Sequence, residues 1–394
     1  MSREIKKTPY FSKKIGRLPL GCRLCVKGEK LVLFITGVCN VGCFYCPLSD
    51  NRKSKDVIFA NEWDANLKDH KFEKKQIDIL IREAELCNAK GAGITGGDPL
   101  LVAERTARAI RGLKKRFGAG FHIHLYTTLR NVSAERLSLL YEAGLDEIRF
   151  HPVIWDSSKW ERINLAKRFD WTVGVEIPAI PKYEEETKKL IDFLDGKISF
   201  LNLNELEISD NNASKLSGMG YITKNRLSYA IKGSEETALR LMKYCRDRNC
   251  GFDAHYCTSK LKDAIQMARR IKRRAKNAAY EFDEVTKEGM IVRGAIYLKE
   301  MAPSYSYRKI LGSMDENKKG LIIKKLNSVR KSIIIKLGIN ENDIIVDKAK
   351  LRLITSQKLV KKNKNVIRAM GFVPAIVEEY PTADAIEIEI RFLV

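Results

Sequence analysis

The sequence lacks a long apolar run: no stretch approaches the roughly 18 to 20 uninterrupted apolar residues that a bilayer crossing needs. Its opening segment, MSREIKKTPYFSKKIGRLPLG, carries basic side chains with no apolar core behind them, which is not the pattern of a secretory leader. A cytoplasmic protein without a membrane partner is expected. Internal repeats and low-complexity tracts are also missing, so ordinary globular domains remain. Acidic residues are in deficit, 49 against 72 lysines and arginines, for a formal charge of +23. That balance favours polyanionic partners without choosing one. What is present is ordinary for a globular protein: 394 residues, 44% hydrophobic, can bury one large core and a smaller one, and two domains are expected.

Nine cysteines in so long a chain are not a disulfide framework, because cytosolic thiols stay reduced and a core of this size needs no staples. Three of them crowd one stretch, VCNVGCFYCPLS, where Cys39, Cys43 and Cys46 form a Cys-x3-Cys-x2-Cys run directly after the apolar KLVLFIT. With this many cysteines, chance produces such a spacing on the order of once in two hundred chains, so metal ligation is the better explanation. A structural zinc site wants four ligands, and a zinc knuckle would make the chain a binding protein. A cubane iron–sulfur cluster on three thiolates instead leaves one iron open.

At these residues the chain resembles the radical SAM superfamily: CNVGCFYC matches its cysteine loop, with an aromatic, Tyr45, before the third cysteine. The order of LPLGC, CNVGCFYCPLS, TGGDP, LNLNELE and HYC looks like a group of archaeal proteins related to pyruvate formate-lyase activating enzymes. The resemblance covers about residues 22–260. It implies a [4Fe–4S] cluster on Cys39, Cys43 and Cys46 whose open iron chelates the amino and carboxylate groups of S-adenosylmethionine. One electron then cleaves the S–C5′ bond to give a 5′-deoxyadenosyl radical, and a reducing donor such as ferredoxin or flavodoxin is a partner.

The alternation of strand and helix patterns agrees with the fold that resemblance implies. KLVLFIT, GAGIT, FHIHLYTT, DEIRFHPV, WTVGVEIPAI and ISFLNLNELEIS read as strands. After the first comes the irregular basic segment SDNRKSKDVIFANEWDANLKDHKF; helical patterns then separate the strands around EKKQIDILIREAELCNAK, PLLVAERTARAIRGLKKRFG, SAERLSLLYEAG, SSKWERINLAKRF and YEEETKKLIDFLDG. The expected fold is α/β: a partial (β/α)6 TIM-like barrel of the radical SAM type, with its site at the strands' C-terminal ends, and a smaller C-terminal α+β domain.

Polar residues stand where such a site requires them. TGGDP resembles the family's GGE-type motif, which makes Gly96, Gly97 and Asp98 candidates for the methionyl end of the cofactor; the same residues are strong turn chemistry. Thr127 and Thr128 end the third strand, although threonine also suits any strand. His151 follows the fourth strand, and Glu176, beside Ile177 and Pro178, the fifth; the resemblance assigns such positions to the ribose hydroxyls and adenine. Asn202, Asn204, Glu205 and Glu207 alternate with leucines and Ile208 on the sixth strand, so any buried among them need partners.

Cys22 and Cys25, in GCRLC, form half of a four-ligand site at knuckle spacing. His255 and Cys257, on one face of an extended strand, are candidates to complete a second metal site, iron–sulfur or zinc, with Cys250 as the alternative to His255. Cys87 and Cys245 read as helix-buried thiols.

Four segments are expected: 1–30, an extension with the Cys-x2-Cys pair; 31–260, the barrel; 261–280, a basic helix; and 281–394, a basic α+β domain. In the helix, Ala264, Met267, Ile271, Ala275 and Ala278 recur at helical spacing, and Arg269, Arg270, Lys272, Arg273, Arg274 and Lys276 fill the other face. So dense a cationic stripe repels itself, and an anion nearby relieves the cost. Arg269, Arg270, Arg273 and Arg274 are therefore candidate nucleic-acid contacts. Aromatic stacking candidates beyond them are few, with Tyr305, Tyr307 and Phe372 the nearest. Two substrates follow from this reading: RNA, above all tRNA, held by the basic face; or, from the activating-enzyme likeness, a protein residue or small metabolite.

Overall fold

The computed structural model describes residues 4–66, 72–209 and 213–394; residues 67–71 of the basic segment lie outside the described part. The chain divides into two compact units, Met1–Arg270 and Ile271–Val394, with the division inside a helix.

The first unit is α/β. Seven parallel strands were found among the described residues: β1 (Lys30–Phe34), β2 (Gly91–Thr95), β3 (His122–Thr128), β4 (Glu147–His151), β5 (Thr172–Ala179), β6 (Phe200–Glu205) and β7 (Asp253–Cys257). They lie side by side in chain order. Helices return the chain from one strand to the next, namely α2 (Lys74–Leu86), α3 (Ala103–Phe117), α4 (Ala134–Glu142), α5 (Glu184–Leu194) and α6 (Ser234–Asp247). This is the expected partial TIM-like barrel, with one parallel strand, β7, added to the six expected. A short strand, Lys13–Ile15, pairs antiparallel with β7 at that edge and covers its free hydrogen-bonding groups.

Local chemistry sets the boundaries. Glu73 and Gln76 form a capping box at the start of α2, and Ser133 accepts the Arg136 amide at the start of α4. Gly118, at φ +83°, stops α3. Ser157–Arg168, expected as an α-helix, is a 3₁₀ stretch that buries Trp160, Ile163 and Ala166. An apolar residue every third position matches three residues per turn better than 3.6. Cys22 and Cys25 do not sit on a knuckle loop: they belong to a short helix, α1 (Leu20–Val26), preceding β1.

The core lies between sheet and helices. Leu31, Leu33, Ile94, Ile123, Leu125, Ile148, Val175 and Leu203 point from the strands onto Leu80, Ile110, Leu113, Leu137, Leu190 and Leu241 of the helices, all inaccessible to solvent. Each contributes about 1.5–3 kcal/mol by leaving water.

The second unit is an antiparallel α+β module. Strands β8 (Ile291–Leu298), β9 (Ile344–Asp347), β10 (Arg352–Thr355), β11 (Phe372–Glu379) and β12 (Glu387–Phe392) run in the order β9-β10-β8-β11-β12. The helix α7 (Ala268–Ala278) leads into it, and α8 (Glu316–Leu337) and α9 (Gln357–Ala369) pack Leu326, Ile333, Val360 and Ile367 against Ile296, Ile344 and Leu353.

Candidate active site

The cysteine loop leaves β1 and crosses the end of β2. The Ile35 amide donates to the Thr95 carbonyl, the Gly97 amide to Thr36 at 2.7 Å and the Asp98 amide to Val38 at 2.9 Å. The two glycines are required by this approach: a Cβ on Gly96 would stand 2.2 Å from the Thr36 carbonyl oxygen, and one on Gly97 2.2 Å from that of Val38. On its other side the loop is held by the basic segment. Thr36 donates to Asp56, and Arg105 grips the same carboxylate while also donating to the Ile35 carbonyl.

Cys39, Cys43 and Cys46 are free, half-buried thiols. Burial, with smaller contributions from the charges of Cys39 and Cys46, pushes the Cys43 thiol up to about 11. Among the described residues no group of three or more His, Cys, Asp or Glu side chains is placed to hold a single metal ion. Three neighbouring thiols without a fourth partner fit a cubane cluster, in which each sulfur meets its own iron.

Asp98 is wholly buried, and its carboxylate accepts from Thr127 at 2.6 Å, Thr128 at 2.7 Å, Asn131 at 2.7 Å and the Leu100 amide at 3.1 Å. Four donors occupy the acid, so it braces the turn between β2, β3 and the cysteine loop. Asn131 passes the brace on: its amide exchanges hydrogen bonds of 2.9 and 3.0 Å with Asn40, inside the cysteine run. The sequence reading missed this pair. Asn40 stood in the run, but nothing local tied it to a residue 91 positions away.

His151 and Tyr45 meet at 2.9 Å between Nε2 and the hydroxyl, and His151 Nδ1 lies 2.7 Å from the Glu176 carbonyl oxygen. Burial holds the His151 ring below its ordinary range and so neutral. The Glu176 carboxylate accepts from Arg149 at 2.8 Å, Asn202 at 2.8 Å and Asn204 at 3.0 Å. Burial alone would raise its pKa; Arg149 and the two amides bring it below the usual carboxylate range. The alternating asparagines of β6 thus find their partner in Glu176, whereas Glu205 is used by Ser259 and Lys224. Phe44, Tyr45, Trp155, Tyr183 and Tyr221 build an aromatic wall beside the loop, with Phe44 stacked on Trp155 at 5.5 Å.

Beneath this lies a buried charged column that the sequence reading did not assemble. Arg149 bonds Glu147 and Glu176, Glu147 faces His122, and His122 bonds Lys30 at 2.9 Å. Barrel interiors are ordinarily filled by branched apolar side chains. The signal was the alternation of His122, His124 and Tyr126 with leucine and isoleucine on β3, and of Glu147, Arg149 and His151 on β4. Burial lowers Lys30 to about 7; burial raises Glu147, but Arg149 and His122 more than offset this and bring it down to about 2.

The second cysteine set borders the same column. Cys22 accepts from Asn202 at 3.3 Å, and burial pushes its thiol up to about 12; Cys25 and Cys257 are raised for the same reason. His255 Nε2 lies 3.3 Å from the Ser12 hydroxyl. These four are not placed to hold one metal ion in this structure. Cys87 and Cys245 are buried on or beside helices, Cys87 within reach of Glu83.

The basic helix differs from the expected free stripe. Arg269 donates to the Val26 carbonyl at 2.9 Å and covers the Tyr10 ring, and Arg270 pairs with Glu62. Arg274 is buried with Ile271 and Ala275, because the residue three after Ile271 shares its face. The relieving anion for Arg270 is a carboxylate of the chain itself.

Residues 33–173 match the model of the Radical SAM superfamily, to which this chain belongs; it is a radical S-adenosylmethionine enzyme, and its family implies a [4Fe–4S] cluster and S-adenosylmethionine. Over nearly its whole length it is similar to a protein of Methanocaldococcus jannaschii provisionally named a glycyl-radical enzyme activating enzyme: the two are 41% identical over 395 residues, covering 98% of this chain and 95% of the relative. Similar solved structures include the radical S-adenosylmethionine methyltransferase TsrM of Kitasatospora setae with tryptophan and an analogue of the cofactor (12% identity, 63% of this chain, 52% of that one, TM-score 0.37). Methylornithine synthase, PylB, is another (13% identity, 60% of this chain, 77% of that one, TM-score 0.37). Coproporphyrinogen III oxidase, HemN, of Escherichia coli is a third (11% identity, 58% of this chain, 56% of that one, TM-score 0.33). Among the described residues no helix is long and apolar enough to cross a membrane.

Proposed function

We propose that this enzyme uses the cofactor to place a radical on a residue of a partner protein, with Cys39, Cys43 and Cys46 as the cluster ligands. The observation that carries the substrate class is the 41% identity, from end to end, to a relative named for activating glycyl-radical enzymes. Loaded with its cluster and reduced by a one-electron carrier such as ferredoxin or flavodoxin, the site would supply the electron that cleaves S-adenosylmethionine.

The chain's own residues bind and orient. The backbone of Gly96 and Gly97, free of Cβ atoms and pressed against the cysteine loop, supports the methionyl end. Asp98 acts behind it as a brace, since its oxygens are already taken. Tyr45 and His151 stand beside the loop with the aromatic wall, and are the stronger cofactor candidates; Thr128 already donates to Asp98, and the Glu176 carboxylate already accepts from Arg149, Asn202 and Asn204.

An RNA substrate has less behind it, because Arg269 and Arg270 are already engaged within the first unit. A second metal site at Cys22, Cys25, His255 and Cys257 would need those side chains to rearrange.

The test is a comparison of products. Reduced enzyme and S-adenosylmethionine are added to a native extract from cells lacking this gene. A protein-based organic radical seen by electron paramagnetic resonance, with an unaltered nucleoside mass profile in total tRNA, is expected. A changed nucleoside profile with no protein radical would overturn the substrate class.

A further inference from the structure

The two sheets of this chain treat their edges differently. In the first unit the short strand Lys13–Ile15 covers β7. In the second unit β12 (Glu387–Phe392) ends the sheet and, among the described residues, pairs with β11 alone. Its side chains do not bury that edge: Ile388 is 51% exposed and Phe392 39%. Glu389 and Arg391 are exposed too, and neither has an ion-pair partner among the described residues. Unpaired backbone groups beside exposed apolar side chains are a template for another strand.

The ladder to β11 shows which backbone groups are free. The Leu393 amide donates to the Pro374 carbonyl at 2.9 Å, and the register continues with Arg391 opposite Ile376 and Glu389 opposite Glu378. Antiparallel ladders bond every second pair, so Leu393, Arg391 and Glu389 direct their backbone groups at β11. Ile390 and Phe392, between them, turn their N–H and C=O groups to the open edge. Ile388 makes no rung with β11, because the register shifts at Glu378 and Glu379.

We propose that this edge of β12 pairs antiparallel with β12 of a second copy of the chain, about a two-fold axis through Ile390. A two-fold interface uses the same patch on both copies, so the strand must complement its own reversal. β12 meets that condition. With Ile390 opposite itself, its outward N–H and C=O meet their counterparts, and Ile388 lies opposite the partner's Phe392. Glu389 then faces the partner's Arg391, and the symmetry repeats that opposite-charge pair on the other side of the axis. Other registers lose these contacts. An axis moved by one residue sets Glu389 against Glu389 or Arg391 against Arg391, and presents backbone groups already directed at β11. An axis moved by two sets Glu387 against Glu389, or leaves Arg391 against Leu393. A strand of unrelated sequence has no reason to match this pattern, whereas the chain's own β12 matches it at every position from Ile388 to Phe392. The pairing does not depend on the cluster ligands or on the substrate.

The experiment is sedimentation velocity of the full-length protein over a concentration series, with thermal melting as the check on folding. Wild type is compared with Glu389→Arg, Arg391→Glu and the exchanged pair Glu389→Arg/Arg391→Glu. Wild type should pass from monomer to dimer as concentration rises. Each single variant sets like charges opposite one another twice across the axis and should weaken the dimer about tenfold. The exchanged pair should bring it back to within about threefold of wild type. Should one single variant fail to fold, the other makes the same like-charge contact and decides. A wild type that stays monomeric at every concentration, even one that takes up a strand of another protein, overturns the proposal. So does a dimer indifferent to both single variants, or an exchanged pair no stronger than they are.

Discussion

Four hydrogen bonds converge on the Asp98 carboxylate, and three come from side chains of one strand end and its loop, Thr127, Thr128 and Asn131. Removing the acceptor strands those donors in a buried site, where each unsatisfied group costs about 1–3 kcal/mol. Asp98→Ala should therefore lose about 3 kcal/mol in a urea titration, and Asp98→Asn, which keeps one acceptor oxygen, distinctly less. Glu147 makes a second residue-scale prediction. Its pKa falls from 4.5 to about 2 on folding, chiefly because Arg149 and His122 outweigh its burial. A depressed carboxyl stabilises fully above its unfolded value and loses that contribution as pH falls toward its folded one. Wild type should thus lose stability between pH 4.5 and about 2 more steeply than Glu147→Gln, as read from denaturation midpoints across that window. Equal slopes would contradict the pairing.

The cysteine run and the strands were legible at the scale of the element because each rests on local periodicity: thiols at fixed spacing, β-branched runs, helices opened by Ser133 or closed by Gly118. Where period and burial conflict, the local pattern misled. Trp160, Ile163 and Ala166 repeat every third residue and wind a 3₁₀ stretch, and Cys22 and Cys25 lie on α1 although their spacing also suits a knuckle. The column of Lys30, His122, Glu147 and Arg149 joins three strands, and the Asn40–Asn131 pair joins two loops. Pairings between segments distant in sequence leave no local trace beyond polar residues at alternate strand positions. One element-scale consequence concerns the turn after β2. A methyl group at Gly97 would meet the Val38 carbonyl oxygen at 2.2 Å and push the cysteine loop outward. Gly97→Ala should cost about 1–3 kcal/mol and lower iron retention after reconstitution, while Gly118→Ala, whose Cβ meets nothing within 4 Å, should leave iron content unchanged.

For the whole molecule, the charge of +23 at first pointed toward nucleic acid, but charge is a weak guide when cations are spent inside the fold. Arg105, Arg149, Arg269 and Arg270 all serve structural contacts in the first unit. The near-full-length relative is named for activating glycyl-radical enzymes, not for nucleic acid, and the smaller α+β unit keeps its own buried ion network, in which Arg352 meets Asp347 and Glu379. Everything in this account depends on three thiolates leaving one iron free for the cofactor. The most direct measurement is the electron paramagnetic resonance spectrum of the reduced, anaerobically reconstituted protein, recorded with and without S-adenosylmethionine. The account predicts a four-iron signal that changes shape when the cofactor is added and is lost when Cys39, Cys43 and Cys46 are all replaced by alanine. A protein that takes up zinc instead, or a signal indifferent both to the cofactor and to those replacements, would contradict it.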